Sequence, residues 1–198
     1  MPMIDIENLQ VCHMGTTICS VPRLVVERGE RFGVLGKNGS GKTTLLRVLG
    51  GLERGFGGRC ALDVKRREIV YVEQSVFLFR GTVLFNTMYG LRARGLGRTP
   101  AEARALRWLD MLGIRGLAGV SARRLSSGER RRAALARALA IEPAVLLLDE
   151  PLADMDDEGV DRVRQALKEL SDSTILIASP TSLPRGFCLR DHQLTSSG

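Results

Sequence analysis

The sequence predicts an α/β fold in which a largely parallel β-sheet is combined with helices. Short apolar runs of the fully buried type recur along the chain, at residues 69–72, 145–148 and 174–178. Helical patterns lie between these runs, and alternating strands and helices are typical of parallel sheets. A glycine-rich loop also joins an apolar run at 32–35 to a helical pattern at 42–49, as is common in such folds.

Composition places the chain among globular proteins with one domain. Its 198 residues, of which 44% are hydrophobic, suffice to form a buried core, so global disorder is excluded. No run approaches the roughly 18 apolar residues of a membrane-spanning helix, and the N-terminus lacks the basic start and apolar block of a secretory signal. The four cysteines form no close pair. We therefore expect reduced thiols and a cytosolic chain.

The chain is basic, with a formal net charge of +7. A basic surface can face nucleic acid, anionic lipid headgroups or an acidic partner, and the charge alone does not decide among them. Aromatic residues make up 5% of the chain, which disfavours a platform on which bases stack. A nucleic-acid partner is therefore not expected.

The N-terminal part of the chain is predicted to hold three strands and a helix. Apolar and acidic residues alternate at 4–7, which indicates a half-buried strand, and a second strand is predicted at 24–26. The third strand, at 32–35, leads straight into Gly36, and the helix at 42–49 follows the glycine-rich loop.

Two capping boxes mark helix starts in the middle of the chain. The first, at 99–102, has Pro100 at the first helical position and opens a helix to about residue 112; the second, at 126–129, opens a helix to about residue 140. A further helix is predicted at 157–170, with acidic residues at its positive end. Because residues 76–141 are nearly all helical, they predict an inserted lobe.

The glycine-rich loop matches the phosphate-binding motif GxxxxGK[ST]. Its glycines permit backbone angles that direct successive N–H groups at phosphate oxygens, and the helix N-terminus adds partial positive charge. Lys42 is expected to reach the β- and γ-phosphates, and the Thr43 hydroxyl to ligate Mg²⁺. The predicted ATP-binding residues of this loop are Gly36, Lys37, Asn38, Gly39, Ser40, Gly41, Lys42, Thr43 and Thr44.

A buried strand ends in two adjacent carboxylates, Asp149 and Glu150. Ligands of open α/β sheets bind beyond the carboxyl ends of the strands. Asp149 is therefore expected to hold Mg²⁺, directly or through water, and Glu150 to polarise an attacking water. An apolar strand that ends in two acids is common by itself, but a phosphate-binding loop in the same chain makes the interpretation specific.

A third motif distinguishes among nucleotide-binding proteins. The stretch Leu125-Ser126-Ser127-Gly128-Glu129 resembles the LSGGQ signature of ATP-binding cassette (ABC) proteins, and an arginine-rich helix and the carboxylate strand follow it in the family's order. Gln74 resembles the Q-loop glutamine, and residues 151–156 resemble the D-loop, with Asp156 as its acid. The resemblance covers nearly the whole chain, although a capping box alone would explain the serine and the acid of the signature.

The resemblance implies a P-loop NTPase core with a mainly parallel sheet, an N-terminal antiparallel β portion and an inserted helical subdomain. The core would take residues 1–75 and 142–198, and the helical subdomain, 76–141, would carry the signature. In this family two cassettes enclose two ATP molecules head to tail, so a second copy of the cassette is an expected partner. The further residues implied for ATP are Ser126, Ser127, Gly128, Glu129 and Asp156, and Gln74 is implied both as a catalytic residue and as a ligand of Mg²⁺.

The family also implies a membrane partner. The helical subdomain would press on a transmembrane permease, so the chain would lie peripherally on the inner face of the cell membrane. An importer would add an extracytoplasmic solute-binding protein. The segment 77–87, with Asn86, resembles the corresponding segment of ATPases that import small oxyanions, of the tungstate and phosphate type. ATP-driven solute transport is thus the predicted function. The segment favours oxyanion import as its form, but the same pattern also occurs in other importers and in exporters, so the cargo and the direction of transport stay open.

Two positions depart from the family pattern. A histidine that contacts the γ-phosphate normally follows the last core strand, but Pro180 occupies that place here and offers neither a donor nor a titratable group. An aromatic side chain that stacks on adenine is expected near residues 13–15, where His13 either stacks or is a surface histidine. The other histidine, His192, matches neither position. We therefore expect hydrolysis slower than is typical of the family.

Three alternatives stay open. A degenerate cassette would bind ATP with little hydrolysis, as Pro180 suggests. A small P-loop kinase would transfer the γ-phosphate to an acceptor. A nucleic-acid-linked cassette would suit the net charge, but such chains carry long coiled coils or additional domains. Dimerisation without turnover, phosphoryl transfer to an added acceptor, and DNA-stimulated turnover would identify them in turn.

Overall fold

The computed structural model describes residues 1–195, which form eight strands and five α-helices. The strands are β1 (Ile4–His13), β2 (Thr16–Val26), β3 (Arg31–Leu35), β4 (Gly57–Leu62), β5 (Ile69–Val72), β6 (Val145–Asp149), β7 (Thr174–Ser179) and β8 (Arg190–Gln193). The helices are α1 (Lys42–Leu49), α2 (Val83–Ala93), α3 (Arg98–Met111), α4 (Ser127–Leu139) and α5 (Asp157–Lys168). Short 3₁₀ turns lie at Arg66–Glu68, Arg115–Leu117 and Ala122–Arg124.

The larger sheet has five strands in the order β5-β6-β7-β3-β8, and each neighbouring pair is parallel. All five residues of β6 are buried, as expected for a strand covered on both faces. Because parallel strands end at the same edge, the segments that follow β3, β6 and β7 meet there: Leu35 pairs with Ser179, and Asp149 with Ala178. The predicted α/β fold with a mainly parallel sheet is confirmed.

The smaller sheet is antiparallel, with the order β2-β1-β4, which confirms the expected N-terminal β portion. Its first strand alternates as predicted: Ile4 and Ile6 are fully buried, and Arg23 on β2 lies 2.6 Å from a carboxylate oxygen of Asp5 and 2.8 Å from one of Glu7. The sequence pattern does not predict β4 or β8, because the apolar run that ends β4 is only three residues long and β8 has no apolar residue.

The chain divides into two compact units. The first comprises Met1–Glu73, Ala144–Glu150 and the stretch that begins at Asp172; the second comprises Gln74–Pro143 and Pro151–Ser171. The sequence assigns residues 151–171 to the core, but in the structure this stretch contacts the helices of the second unit. The predicted core also includes residues 196–198, which lie outside the described residues. Through residue 195, every helix is too short or too polar to cross a membrane.

One of the two predicted capping boxes is confirmed and the other is wrong. Ser126 is the N-cap of α4, with reciprocal hydrogen bonds to Glu129. The first helix instead begins at Arg98, with Gly97 as N-cap and no side-chain cap, so Thr99 does not cap it. Pro100 is tolerated within this first turn because the first four N–H groups of a helix have no intrahelical acceptor.

Candidate nucleotide-binding site

The glycine-rich loop connects β3 to α1 and ends in an open helix start. Gly41 is the N-cap of α1; it provides no side-chain cap, and the first turn carries no acidic residue. The backbone of the helix is otherwise regular, since Leu45 N donates to the Gly41 carbonyl at 2.8 Å. The first N–H groups of α1 therefore keep their partial positive charge for a bound anion.

Lys42 is folded back onto the loop that precedes it. Its side chain is 5% exposed, and its Nζ donates to the Gly36 carbonyl at 2.7 Å and to the Lys37 carbonyl at 3.1 Å. An ammonium group has three donors, so these two bonds leave one for a phosphate oxygen. The same bonds attach the lysine side chain to the first two residues of the loop.

Gly41 lies where no larger residue fits. Its φ of +90° is in the left-handed region, which favours glycine. A Cβ at this position would lie 2.5 Å from the Ile18 carbonyl oxygen and 2.9 Å from Cβ of Cys19. Strand β2 therefore packs directly against the loop. Ile18, which is 38% exposed beside it, is a neighbour of the site that the sequence pattern does not reveal.

The other predicted residues of the loop lie together as expected from their spacing. Lys37, Asn38, Gly39 and Thr43 are exposed, Thr44 is half-buried, and Gly36 and Ser40 are buried. The hydroxyl oxygen of Ser40 has no hydrogen-bond partner within residues 1–195. The loop thus exposes its residues 37–39, and successive backbone N–H groups in such turns form anion-binding sites.

Asp149 ends β6 at the edge of the sheet where the segments after β3 and β7 also lie. It is 1% exposed, its Oδ2 accepts a hydrogen bond from the Tyr71 hydroxyl at 3.1 Å, and its Oδ1 has no partner among the described residues. Burial, and next the charge of Asp149, raise the pKa of Tyr71 well above its usual range. The phenol therefore stays a donor, and Oδ1 is a buried acceptor suited to a cation or its water.

Glu150 follows in a left-handed backbone conformation, with φ +48°. This is uncommon for a residue with a side chain and marks many functional sites. Its N–H donates to the Ala178 carbonyl of β7 at 3.0 Å, and the side chain is half-buried. Glu150 and Asp149 are adjacent in sequence but therefore differ in backbone conformation and in burial.

The residues that depart from the expected pattern lie at three separate places. Pro180 is exposed directly after β7, at the edge shared with the glycine-rich loop, so a histidine there would lie beside the loop. His192 is on β8, opposite Val34 of β3. His13 is exposed at the end of β1, opposite Thr16.

The signature residues begin helix α4 in the second unit. Ser126 Oγ accepts from Glu129 N at 3.3 Å, while the Glu129 carboxylate accepts from Ser126 N at 2.8 Å and from Ser126 Oγ at 2.9 Å. The backbone bond and then the hydroxyl bond hold the pKa of Glu129 below its usual value. The serine hydroxyl is therefore positioned at a helix start, and Ser127 is exposed beside it.

Arg131 joins three segments of the second unit that carry predicted site residues. Its Nη1 donates to the Gln74 carbonyl at 3.3 Å, and its Nη2 lies 3.6 Å from Oδ2 of Asp154. The Asp154 carbonyl lies 3.0 Å from where a Cβ of Gly128 would stand, so the D-loop rests on the start of α4. Asp156 caps α5 by accepting from Gly159 N at 2.9 Å. The sequence does not predict the roles of Arg131 and Asp154.

The sequence of this chain is similar to those of known ATP-binding proteins. The family model described as "ABC transporter" matches residues 21–153. The tungstate uptake system ATP-binding protein TupC of Peptoclostridium acidaminophilum is 36% identical over 182 residues, which cover 88% of this chain and 85% of that protein. The sulfate/thiosulfate import ATP-binding protein CysA of Bordetella pertussis is 43% identical over 162 residues, or 75% of this chain. The chain spans only 46% of the length of that second relative.

Two solved structures have a similar fold. The cbiO1 structure from Clostridium perfringens, part of the cbiONQ ABC transporter complex, superposes with a TM-score of 0.83 at 28% identity and covers 98% of this chain and 84% of that chain. The dimeric structure of MJ0796, a bacterial ABC transporter cassette, superposes with a TM-score of 0.86 at 26% identity and covers 97% and 94% of the two chains.

Proposed function

This chain belongs to the ABC transporter family of ATP-binding proteins, which are ATPases, and from that premise we propose that it powers the import of a small oxyanion. In this proposal it binds MgATP on the loop 36–44, works as a pair of identical cassettes and rests on a transmembrane permease. The observation that carries the proposal is the open start of α1, where the helix has no side-chain cap and Lys42 keeps one donor for a phosphate oxygen.

The donors at the sheet edge fit Mg²⁺. Asp149 offers a buried carboxylate oxygen without a partner among the described residues, and Thr43 offers an exposed hydroxyl on the first turn of α1. Together these two groups would hold Mg²⁺ beside the phosphates of a bound nucleotide, and the ion would there neutralise the charge that develops during hydrolysis. Gln74 is the further ligand that the family pattern suggests.

Glu150 is the proposed general base. A carboxylate one residue beyond the metal-binding acid can accept a proton from the attacking water, a contribution of about 10²–10⁴ in rate. Its left-handed backbone and its hydrogen bond to Ala178 support a fixed position at the sheet edge. Gln74, the other proposed catalytic residue, would orient the same water.

The partner cassette is proposed to complete each site. The signature residues Ser126, Ser127, Gly128 and Glu129 begin an α-helix, and a helix start attracts a γ-phosphate presented by the other subunit. Asp156, which caps α5, would contribute from the D-loop. We assign nucleotide binding to residues 1–75 and 142–198, and the signature to a helical subdomain at 76–141.

The proposed cargo follows from the relatives. One is named for tungstate uptake and another for sulfate/thiosulfate import, and both solutes are small oxyanions. The segment 77–87 has the form expected of such importers. An importer of this class would also use an extracytoplasmic solute-binding protein, and the cassette would lie peripherally on the inner face of the membrane.

An exposed aromatic surface, formed by Phe77 and Phe85, is the proposed contact with the permease. These side chains are 65% and 47% exposed. Hydrogen bonds fix the segment between them: the buried Asn86 side chain accepts from Phe79 N at 2.7 Å and donates to the Phe79 carbonyl at 3.1 Å. Arg137 Nη2 donates to the Phe77 carbonyl at 2.8 Å. Aromatic side chains, phenylalanine among them, are enriched at protein–protein interfaces.

Replacing both Phe77 and Phe85 with alanine is expected to release the cassette from its permease. Burial of one phenyl side chain is worth about 1.5–3 kcal/mol, so recovery of the membrane protein with a tagged cassette should fall at least about tenfold. Affinity for ATP should not change. The matched control is Leu189→Ala, since Leu189 is 82% exposed in the other unit. Undiminished recovery would refute this surface as the contact.

Pro180 favours one alternative, a cassette that binds ATP but hardly hydrolyses it. We expect Pro180→His to raise the steady-state release of phosphate by about tenfold or more, since one donor to a developing anion contributes about 10²–10³ in rate. Pro180→Ala separates the effect of removing the ring from that of adding imidazole. An unchanged rate in a folded Pro180→His variant would show that the missing histidine does not limit turnover.

A further inference from the structure

Tyr71 is a polar residue on an otherwise aliphatic strand. It is the third residue of β5, with the sequence Ile-Val-Tyr-Val, and pairs with Leu147 of β6, two residues before Asp149. Its ring is half-buried against the core of the first unit. A phenylalanine would pack equally well there, so packing alone does not require the hydroxyl.

The hydroxyl of Tyr71 bonds one of the two carboxylate oxygens of Asp149. It donates to Oδ2 at 3.1 Å, while Oδ1 has no partner within residues 1–195. Burial of a half-satisfied carboxylate is unfavourable, because each unpaired oxygen loses its hydration. A carboxylate that served only the fold would be expected to have both oxygens bonded. In Asp149, by contrast, Oδ2 is bonded to Tyr71 and Oδ1 is left available to a ligand.

We propose that Tyr71 is a positioning residue for the metal site: by holding Oδ2 of Asp149, it fixes the carboxylate plane and directs Oδ1 at Mg²⁺. The inference rests on the proposed function, in which Asp149 binds the ion. In this role Tyr71 acts through Asp149 and is not itself a ligand of the ion. It acts in the way that partners of metal ligands do, whose loss typically lowers metal affinity by about 10–100-fold.

The chain contains two tyrosines, which provides a matched pair of variants. Tyr71→Phe removes the hydroxyl at Asp149, and Tyr89→Phe removes an exposed hydroxyl on α2. The dissociation constant of Mn²⁺ would be measured on the ADP-bound chain by the electron paramagnetic resonance signal of free Mn²⁺. The affinity for a fluorescent ATP analogue would be measured separately in EDTA.

Tyr71→Phe is expected to weaken Mn²⁺ binding by about 10–100-fold. Its nucleotide affinity in EDTA should stay within about twofold of the wild type, because the hydroxyl acts only on the metal ligand. Tyr89→Phe should match the wild type in both. Mn²⁺ affinity of a folded Tyr71→Phe variant within about twofold of the wild type would overturn the inference. Failure of the wild-type chain to bind nucleotide at all would instead overturn the proposed function, so the two failures are distinguishable.

A second measurement keeps the native contact intact. The Tyr89→Phe variant retains Tyr71 as its one tyrosine, so ¹³C-tyrosine labelling gives a single ring signal. That signal is expected to shift when Mg²⁺ is added to the ADP complex, and to shift little when ADP is added in EDTA. A signal that ignores Mg²⁺ in a chain that binds it would contradict a positioning role, even if Tyr71→Phe does not fold.

Discussion

Lys42→Ala is expected to lower the rate of ATP hydrolysis by at least about 10²-fold, because removal of a single donor to a developing charge costs about 10²–10³ in turnover. Two effects add in this variant. The phosphates lose a charge-assisted hydrogen bond, and the loop loses the bonds from Nζ to the Gly36 and Lys37 carbonyls, at 2.7 and 3.1 Å. MgATP affinity is therefore expected to fall as well.

Phosphate release and binding of a fluorescent ATP analogue would measure the two effects of Lys42→Ala separately. Lys168→Ala is the matched control, since Lys168 is an exposed lysine at the end of α5. Lys42→Ala is expected to unfold at a lower temperature than Lys168→Ala, because it leaves the buried Gly36 carbonyl without this donor, so both variants would be assayed below their unfolding transitions. A Lys42→Ala variant with wild-type affinity and turnover would exclude the loop as the nucleotide site.

Local patterns predicted the elements whose boundaries are set by local chemistry. The predicted helix at 42–49 coincides with α1, because the glycine-rich loop determines its start. The box at Ser126 determines the start of α4 through bonds three residues apart. The prediction at Thr99 failed because proline is compatible with any position of the first turn, so Pro100 does not specify which residue precedes the helix.

Contacts between distant segments could not be predicted in this way. Tyr71 and Asp149 are 78 residues apart, and they meet because β5 and β6 are neighbours in the sheet, an order that no local pattern encodes. The link from Arg131 to Asp154 likewise depends on how α4 packs against the D-loop. A tyrosine in an otherwise aliphatic strand can be seen in the sequence, but the sequence does not show that its partner is Asp149. The residues of the candidate site thus stay predictions from motifs, and the contacts that support them could not be predicted from the sequence.

Glu150→Gln is expected to reduce phosphate release by about 10²–10⁴-fold, the contribution of a general base, while leaving ATP binding intact. The amide keeps the shape of the side chain but cannot accept the proton of water. ATP should then persist between paired cassettes, so a stable dimer is expected in MgATP by light scattering. Glu142→Gln is the matched control, because Glu142 shares the φ of +48° and is exposed.

The same variant separates the proposed ATPase from a degenerate cassette. If Glu150 acts as the base, the wild type must exceed Glu150→Gln in turnover by the factor that the base contributes, about 10²–10⁴. If Pro180 has left the chain unable to hydrolyse ATP, the two rates coincide and the wild type itself forms the stable MgATP dimer. If the wild type hydrolyses ATP and Glu150→Gln does so at the same rate, Glu150 is excluded as the base. The base would then be another polar group at the same sheet edge.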